Sequence, residues 1–355
     1  MAEPPDDPRP HWWLLPRGEA KAADLTLPTP FFQRYNKPQH YDPGPELISA
    51  VNIALMLGQP LLLTGDPGSG KTSLAYWLAF QMELEKPLAQ VVKSSTTGKD
   101  LLYSFDELAR FRDAQDRGVD RRPQQEYLEL SALGLAIPFS AGPDGKLDRT
   151  GEHAPGGMAR PVSHSDLHAG AFPARRRQVV LIDELDKAPR DTPTDLLSEI
   201  ERMEFSIPEA GVVVRGDPAH RPVVVITSNS DKSLPDPFLR RCVYYNIPPA
   251  TPKRRREIVE RQQPALLKRP ELYHDAMATF DRIDTGIGRD GRRPGAAELL
   301  AWLDAVDTVY RPGTTSITSD MKAFGVTLAA LAKTMDDREL IVRKLGLDRK
   351  QLGFA

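Results

Sequence analysis

The chain has 355 residues, of which 40% are hydrophobic and 27% charged, a composition typical of a globular protein that buries a sizeable core. The 47 Lys and Arg residues nearly balance the 49 Asp and Glu residues, so no global charge favours binding to nucleic acid or to an anionic membrane. Cys242 is the only cysteine, which excludes an intramolecular disulfide and a cysteine-rich metal site and suits a reducing cytoplasm.

The first 40 residues differ in composition from the rest of the chain. They hold many of the 33 prolines and show no sustained helical or strand period, which predicts a partly disordered arm over 1–40. The aromatic residues of this arm include Trp12, Trp13, Phe31 and Phe32. They can dock on the chain's own body or on a neighbouring subunit, and partial disorder with local packing is the favoured interpretation.

Two features argue against export and against a membrane span. The acidic N-terminus lacks the basic start and the apolar stretch of a secretory signal. The most apolar run, 53–63, is interrupted by Gln59-Pro60 and is far shorter than the roughly 20 residues that cross a bilayer. We therefore expect a cytoplasmic protein with no membrane insertion.

Between residues 41 and 248 the sequence alternates between helical and strand patterns. Strands are predicted at 61–63, 89–92, 179–182 and 223–226, and helices at 44–58, 71–82 and 195–203. The strands at 61–63, 179–182 and 223–226 are continuous apolar runs, as expected where helices cover both faces of a sheet. The alternation predicts an α/β fold with a parallel sheet flanked by helices.

Two regions depart from this alternation. Residues 94–177 are longer than a simple crossover and form an insert, with helices predicted near 106–116 and 124–133 and a loop over 142–177. Strand signals stop after Pro248. Helices are predicted beyond it at 252–263, 271–281, 296–309 and 319–335. An α/β domain over 41–248 is therefore followed by a smaller all-helical domain over 249–355.

A glycine-rich motif follows the first predicted strand directly. Its residues are Gly65, Asp66, Pro67, Gly68, Ser69, Gly70, Lys71 and Thr72. Glycines let backbone N–H groups turn toward phosphate oxygens, and the next helix directs its positive dipole end at the same anion. In this pattern the lysine binds the β and γ phosphates and the threonine hydroxyl binds Mg²⁺. Because the motif lies between a strand and a helix, as such loops require, the sequence predicts binding of ATP and Mg²⁺.

Two carboxylates end the third predicted strand. Asp183 and Glu184 lie at its carboxyl end, where ligands collect in open α/β sheets. We predict that Asp183 binds Mg²⁺, directly or through water. Glu184 is the candidate that polarises the attacking water, because hydrolysis needs a carboxylate beside the nucleophile rather than on the metal. Asp186 and Lys187 are interpreted as a surface pair or a helix cap outside the site, with a role at a subunit interface as the alternative.

Polar and basic residues follow the fourth predicted strand. Asn229 ends the polar run 227–229, and its amide is predicted to orient the attacking water or to contact the γ phosphate. Arg240 and Arg241 have apolar neighbours that would hold two guanidinium groups at a fixed surface position. From there a positive charge can complete a neighbouring subunit's site. A solvated basic pair or a salt bridge is the alternative for the arginines.

Taken in order, these motifs resemble those of the AAA+ ATPases, and within them the MoxR-like group. The segments that carry the resemblance are 64–72, 181–188 and 238–242, and it covers about 44–310. The resemblance implies a P-loop α/β core followed by a helical lid, with ATP between the subunits of a commonly hexameric ring. It also implies that Asn229 is sensor 1 and that Arg241, with Arg240, is an arginine finger acting in trans.

Other features of the MoxR-like group have counterparts here. Members of the group carry an insert and a hairpin before sensor 1, to which 94–177 and 205–222 correspond. They usually have a lid arginine, sensor 2, near a proline at a helix start, whereas here Arg292 and Arg293 precede Pro294. Arg293 is the candidate for contact with the γ phosphate, and a plain basic loop is the alternative.

The sequence-based interpretation is an ATPase that couples hydrolysis in a homo-oligomeric ring to remodelling or activation of a partner protein. The resemblance suggests a client with a von Willebrand factor A domain, and nucleic acid is not indicated. An ATP-dependent switch or scaffold with slow turnover stays open, although Glu184 argues against pure binding. A small-molecule P-loop kinase is the other alternative, but it would not explain Asn229, the arginine pair and a helical lid together.

Overall fold

The structure is a computed structural model, and it describes residues 27, 29–31, 37–115, 126–150, 161–168, 170–230, 234–287 and 293–347. Trp12, Trp13, Phe32 and Arg292 lie outside the described residues. The internal contacts divide the chain into two compact units. We call 43–65 with 71–247 the α/β unit, and 1–42 with 66–70 and 248–355 the helical unit. The domain boundaries drawn from the sequence stay predictions.

A parallel sheet forms the centre of the α/β unit. The described strands are β1 (Leu61–Gly65), β2 (Leu88–Val91), β3 (Tyr103–Phe105), β4 (Leu128–Leu130), β5 (Asp148–Arg149), β6 (Val179–Asp183), β7 (Glu204–Ile207), β8 (Val212–Arg215), β9 (Val223–Thr227) and β10 (Val243–Ile247). In the described part of the chain, five of them pair in the order β10-β1-β9-β6-β2, all parallel. Leu62, Val180 and Val225 are completely buried, because apolar side chains on both faces of the sheet are covered.

The α/β unit also contains described α-helices, several of which pack against this sheet. They are α1 (Pro45–Leu57), α2 (Lys71–Gln81), α3 (Glu107–Gln115), α4 (Ala132–Ala141), α5 (Thr192–Arg202) and α6 (Asp236–Leu239). Helix α1 lies against β1 and β10, α2 against β1, β6 and β9, and α4 against β2 and β6. Helix α1 ends where Gly58 adopts a φ of +64°, a conformation that suits glycine. The predicted parallel sheet flanked by helices is confirmed.

One helix predicted in the insert is wrong, whereas the hairpin predicted after the insert is confirmed. The helix predicted at 124–133 is wrong for its described part, because β4 occupies Leu128–Leu130 and α4 begins only at Ala132. Leu128 and Leu130 are buried while Glu129 is exposed, and β4 pairs with β3 in an antiparallel ladder. A three-residue alternation is too short to be distinguished from one helical turn. The hairpin expected within 205–222 is confirmed as the antiparallel pair β7 and β8.

Strand β10 was not predicted from the sequence. Its residues, Val-Tyr-Tyr-Asn-Ile, alternate between half-buried and exposed positions. It lies at the edge of the sheet, paired with β1 alone among the described strands. An edge strand carries a weaker apolar signal than a central strand, because less of it is covered.

The helical unit has its own hydrophobic core. Its described α-helices beyond residue 248 are α7 (Pro252–Gln262), α8 (Pro270–Ile287), α9 (Ala296–Val309), α10 (Met321–Leu331) and α11 (Met335–Leu345). Phe280, Trp302 and Phe324 are completely buried in it. Phe31 from the predicted arm packs against this core, so this residue docks on the chain's own body. None of the described helices is both long enough and apolar enough to span a bilayer.

The helix predicted at 319–335 is confirmed as the shorter α10, and a further helix that was not predicted, α11, begins where this stretch ends. Helix α10 ends at Leu331 and α11 begins at Met335. The hydroxyl of Thr334 accepts the N–H of Asp337 at 3.0 Å, and the Asp337 carboxylate accepts the N–H of Thr334 at 3.1 Å. This reciprocal cap satisfies N–H groups at the start of a new helix. A local capping pair therefore starts a second helix directly after α10.

Candidate nucleotide-binding site

The glycine-rich loop at 66–70 has the backbone of an anion-binding turn. Gly68 and Gly70 have φ angles of +77° and +94°, which residues with side chains rarely adopt. The N–H of Ser69 donates to the Asp66 carbonyl oxygen at 3.2 Å. The Ser69 hydroxyl oxygen is buried without a hydrogen-bond partner among the described residues. A buried orphan hydroxyl in a turn of this kind fits a loop built to hold a polar ligand.

Other residues of the helical unit pack closely against this loop. A Cβ atom on Gly68 would lie 3.0 Å from Ala297 Cβ, and one on Gly70 would lie 2.9 Å from Cε2 of Tyr41. Both positions therefore require glycine for two reasons: the backbone conformation, and the lack of space for a side chain.

The start of α9 also contacts the loop, through a residue after the predicted arginine. A Cβ atom on Gly295 would lie 3.0 Å from the Pro67 carbonyl oxygen. The Gly295 N–H donates to Oε2 of Glu298 at 3.0 Å, which caps the helix. Arg293 is exposed, two residues before this contact. Its contact with the γ phosphate stays a prediction.

Lys71 is a buried cation in the first turn of α2. It is only 7% exposed, and a charge so far from water needs polar partners. Its ammonium donates to the Gly65 carbonyl oxygen at 2.7 Å and to Oδ1 of Asn229 at 3.2 Å. The structure therefore brings together three predicted site residues, from the end of β1, the start of α2 and the segment after β9.

Asp183 is the centre of a second set of contacts at the same edge of the sheet. Oγ1 of Thr72 donates to Oδ1 and Oδ2 of Asp183 at 3.1 and 3.2 Å. Oγ1 of Thr227 donates to Oδ1 at 2.5 Å and accepts the N–H of Glu184 at 2.9 Å. These contacts arise because β6 and β9 are parallel neighbours with Ile182 opposite Ile226.

Glu184 has an unusual backbone. Its φ and ψ are +63° and +45°, in the left-handed region that costs a residue with a side chain about 1–2 kcal/mol. The chain turns there into the short 3-10 helix Leu185–Lys187. Lys187 Nζ lies 2.5 Å from Oε2 of Glu184, and this hydrogen bond raises the pKa of the lysine. Strain of this kind is concentrated at functional sites.

Asp186 and Lys187, interpreted from the sequence as lying outside the site, each contact a candidate site residue. Oδ1 of Asp186 accepts the backbone N–H of Asn229 at 3.2 Å, while Lys187 pairs with Glu184. They do not cap the helix that follows, because α5 begins only at Thr192. The left-handed turn at Glu184 directs both side chains back toward the strand ends.

The arginine pair lies just after α6. Both Arg240 and Arg241 are exposed, and Nε of Arg241 lies 3.7 Å from Oε1 of Glu201 on α5. Burial raises the pKa of the neighbouring Cys242 thiol to about 12, so the thiol stays protonated beside them. The salt bridge foreseen as an alternative is present for Arg241. The role in trans stays a prediction.

Sequence reasoning chose Asn229 from the polar run after the fourth predicted strand and passed over Thr227. Thr227 is completely buried and is the residue that joins Asp183 to the Glu184 backbone. The sequence did contain a usable signal, because the apolar runs 179–182 and 223–226 are each followed directly by a polar residue. The partnership itself depends on which strands are neighbours, and no local pattern states the strand order.

The oxygen atoms assembled here fit a magnesium nucleotide. Mg²⁺ prefers oxygen ligands and commonly takes one or two protein ligands in addition to phosphates and water. Thr72 and Asp183 present a hydroxyl and a carboxylate within hydrogen-bonding distance of each other. The buried ammonium of Lys71 supplies a positive charge for a phosphate oxygen. These residues are suited to hold the group.

Comparison with known proteins agrees with this chemistry. The sequence model of the family described as "ATPase family associated with various cellular activities (AAA)" matches residues 61–248, which is more than half of the chain. No curated protein matches the sequence.

Two solved structures of RuvB from Thermotoga maritima are similar to this chain, each at 15% identity. For an alanine-to-serine variant the TM-score is 0.43, with 91% of this chain and 88% of that chain covered. For a proline-to-glycine variant the TM-score is 0.41, with 86% and 82% covered. TM-scores this low do not by themselves establish a shared fold, so the family assignment rests on the match of the family model.

Proposed function

Because the chain belongs to the AAA family of ATPases, we propose that it binds ATP with Mg²⁺, hydrolyses ATP, and uses the energy to remodel or activate a partner protein. The observation that carries the hydrolytic part is the contact of Thr72 and Thr227 with one carboxylate, Asp183. It unites the helix after the glycine-rich loop with the ends of two neighbouring strands. We place the protein in the MoxR-like group on the motifs at 64–72, 181–188 and 238–242.

Lys71 and the loop hold the phosphates in this proposal. The lysine donates to the Gly65 carbonyl oxygen and to Oδ1 of Asn229, and a phosphate oxygen would offer its ammonium a charged acceptor. A hydrogen bond between two ionised groups is stronger than one from the same ammonium to a neutral carbonyl or amide oxygen. Mg²⁺, when held by Thr72 and Asp183, supplies positive charge that neutralises the β and γ phosphate oxygens.

Glu184 is the general base in this proposal. Its backbone N–H is anchored on Thr227, so the start of its side chain is fixed beside Asp183. Glu184 accepts a proton from the attacking water as the water oxygen bonds to the γ phosphorus and the bond to the β–γ bridging oxygen breaks. Asn229 orients that water or contacts the γ phosphate.

We propose that Arg241, with Arg240, serves the site of a neighbouring copy. Both side chains are exposed, and the partner of Arg241, Glu201, is itself about half exposed. An exposed ion pair of this kind contributes only about 0–1 kcal/mol, so it is readily exchanged for a phosphate. The resulting assembly is a ring of copies, commonly six in the MoxR-like group. Arg293 is retained as the candidate lid contact.

The resemblance to the MoxR-like group favours a partner protein with a von Willebrand factor A domain. A slow ATP-dependent switch is the second candidate function. The ion pair between Lys187 and the candidate base Glu184 is the specific observation in its favour, because a carboxylate engaged in an ion pair is not available to the attacking water and ATP hydrolysis is then slow.

The test is phosphate release by the purified full chain with ATP and Mg²⁺, compared with Lys71→Ala and Glu184→Gln. We expect Lys71→Ala to lose nucleotide binding. We expect Glu184→Gln to bind ATP but to lower kcat roughly 10²–10⁴-fold, because the general base is lost. Glu107→Gln removes an exposed carboxylate on α3 and should behave like the wild type.

Three outcomes would change the proposal. Hydrolysis by Glu184→Gln at the wild-type rate would show that the base is another residue. ATP binding by the wild type with turnover as slow as that of Glu184→Gln would favour the switch. Failure of a von Willebrand factor A protein to co-purify with ATP-loaded Glu184→Gln would remove that class of client.

A further inference from the structure

Two helices on one face of the central sheet present apolar side chains to solvent. Ile53, Met56 and Leu57 on α1 are 45%, 71% and 53% exposed, and Phe80 on α2 is 52% exposed. Met56 and Leu57 follow Ile53 by three and four positions, so the three residues share one side of α1. We call these four side chains the apolar patch.

The strand register places α1 and α2 on the same face of the sheet. Tyr245 of β10 donates its hydroxyl to Glu46 of α1 at 3.4 Å, and Asp183 of β6 accepts from Thr72 of α2 at 3.1 Å. Side chains alternate between the two faces along a strand, and the pairing from β10 through β1 and β9 to β6 puts Tyr245 and Asp183 on one face. Because α1 leads into the start of β1 and α2 leaves from its end, both helices run against the strands. The patch is therefore formed by the final turns of two neighbouring helices, at the amino edge of the sheet.

The sequence around the patch carries no charge. Residues 47–65 contain no Asp, Glu, Lys, Arg or His, and neither do residues 72–82. A helix that is apolar on all sides is normally buried, and the core of a protein interface is depleted of charged residues. Leu108 on α3 is as exposed as Met56, but four of the nine residues of α3 are charged. The patch thus has the composition of an interface, whereas α3 has that of a solvated helix.

The cover for the patch comes from another molecule. The exposed fractions are those of one chain by itself, so the described fold leaves these side chains in contact with water. Exposed apolar surface that is concentrated in one place marks an interaction site.

Segment 9–17 of this chain, which lies outside the described residues, has a matching composition. Its centre, Trp-Trp-Leu-Leu at 12–15, is the longest apolar run before α1. The segment has an arginine at each end and contains no acidic residue. The exposed Glu46 and Glu83 border the uncharged stretches of α1 and α2. A basic segment with an apolar centre therefore complements an apolar patch with acidic borders.

We propose that the apolar patch of one copy binds segment 9–17 of a neighbouring copy. The inference concerns assembly and goes beyond the proposed ATP chemistry, and it rests on the proposed function only in that copies associate. Tryptophan is enriched among the residues that supply most of the binding energy at interfaces. Each copy gives one segment and receives another, which is a head-to-tail contact of the kind that generates rings.

The test is disulfide trapping between two full-length variants with different affinity tags, Leu14→Cys and Met56→Cys, mixed and treated with a mild oxidant. We expect a covalent dimer that carries both tags. The control mixture pairs Leu14→Cys with Leu108→Cys, at a position as exposed as Met56, and should give only a trace of that dimer. Burial raises the pKa of the native Cys242 thiol to about 12, so this thiol reacts slowly.

Sedimentation of the full chain measures the size of the effect. The double variant Trp12→Ser, Trp13→Ser should weaken self-association roughly 10–100-fold, a factor typical of losing interface tryptophans. Met56→Glu places a charge in the patch and should weaken self-association by a similar factor. Leu108→Glu is the matched control and should leave it unchanged.

Equal trapping with Met56→Cys and with Leu108→Cys would overturn the inference. If Met56→Glu dissociates while the double tryptophan variant assembles like the wild type, another surface or another protein covers the patch and the inference is wrong. A chain with both Leu14→Cys and Met56→Cys that forms its disulfide only within itself would place the segment on its own copy, which also overturns it. Thermal unfolding shows whether each variant is folded, and Ile53→Cys replaces Met56→Cys if the latter does not fold.

ATP hydrolysis separates this inference from the proposed function. If Glu184→Gln is inactive and mixed Arg241→Ala and Lys71→Ala subunits regain activity, yet no trapping occurs, the inference alone fails. If the wild type does not self-associate at any concentration, the proposed ring fails and the inference with it.

Discussion

The polar groups at the carboxyl edge of the sheet and the arginine pair beyond it are held in different ways. Lys71, Asp183 and Thr227 contact other candidate residues of the same unit, at distances between 2.5 and 3.2 Å. Arg240 and Arg241 are exposed after a four-residue helix, and Arg241 has an ion pair of 3.7 Å with Glu201. The first group forms a constellation within one chain, whereas the second presents charge outward.

The difference has an energetic meaning. A buried polar group that loses its partner costs about 1–3 kcal/mol, so the contacts around Thr227 resist rearrangement. An exposed ion pair contributes about 0–1 kcal/mol, so Arg241 can exchange its partner at little cost. Rigid placement suits groups that hold phosphate and metal. Easy exchange suits a group that acts on a neighbouring copy.

The largest expected effect on turnover is that of removing the exposed arginine. Arg241→Ala should lower kcat about 10³-fold or more, as for other arginine fingers, while ATP binding persists. Mixing Arg241→Ala with Lys71→Ala subunits should restore activity, because about a quarter of the interfaces in a random equal mixture pair an intact ATP site with an intact arginine. Phosphate release across mixing ratios measures this. No recovery with assembly intact would place Arg241 outside any neighbouring site.

An intermediate effect is expected at the strand edge. Thr227→Val removes the donor to Asp183 and the acceptor of the Glu184 N–H, so the free energy of unfolding should fall by about 1–3 kcal/mol. Asp183 also loses its orientation, so the affinity for Mg²⁺ should fall roughly 10–100-fold. Urea unfolding and Mg²⁺ titration of ATP hydrolysis measure these changes. Thr227→Ser keeps the hydroxyl and is the control. Equal loss in both variants would mean that the methyl group, not the hydroxyl, matters.

The smallest effect is expected at Asp186. Asp186→Ala removes the acceptor of the Asn229 N–H near the surface, which should cost about 0.5–1.5 kcal/mol of positioning. Turnover should therefore fall about two- to tenfold. Steady-state hydrolysis measures it, with Asp186→Asn as the variant that keeps Oδ1. A drop as large as that of Arg241→Ala would show that the turn after Glu184 is as critical as the arginine proposed to act in trans.

Much of the strand-edge region could be read from local sequence. Helix α9 was predicted with its observed bounds, Ala296–Val309, and the strands before the glycine-rich loop and before Asp183 were predicted within two residues. Each has a strong apolar pattern ended by a turn or a polar residue. These patterns also located Lys71, Thr72 and Asp183, because the carboxyl end of a parallel strand is a fixed place in the fold.

Local patterns failed where packing decided the outcome. Strand β4 has three residues and β10 is an edge strand, so neither has a pattern distinct from its neighbours. Helix α11 was missed for a different reason, since its Thr334 and Asp337 cap is a local signal that was not recognised. The partners of Asp186 and Lys187 depend on the left-handed turn at Glu184, which no periodicity indicates.

The sequence by itself determined the local motifs of this protein: a glycine-rich loop between a strand and a helix, acidic residues at a strand end, and arginines set apart from them. These features are local, since each is specified within about ten residues. Only the tertiary structure decided that β6 and β9 are neighbours, that Thr227 joins Asp183 to Glu184, and that Lys187 pairs with the candidate base. Thr227 and Asp183 come from different strands, and the Lys187 contact depends on the left-handed backbone of Glu184. Strand order and side-chain direction are decided only when the sheet and its helices pack.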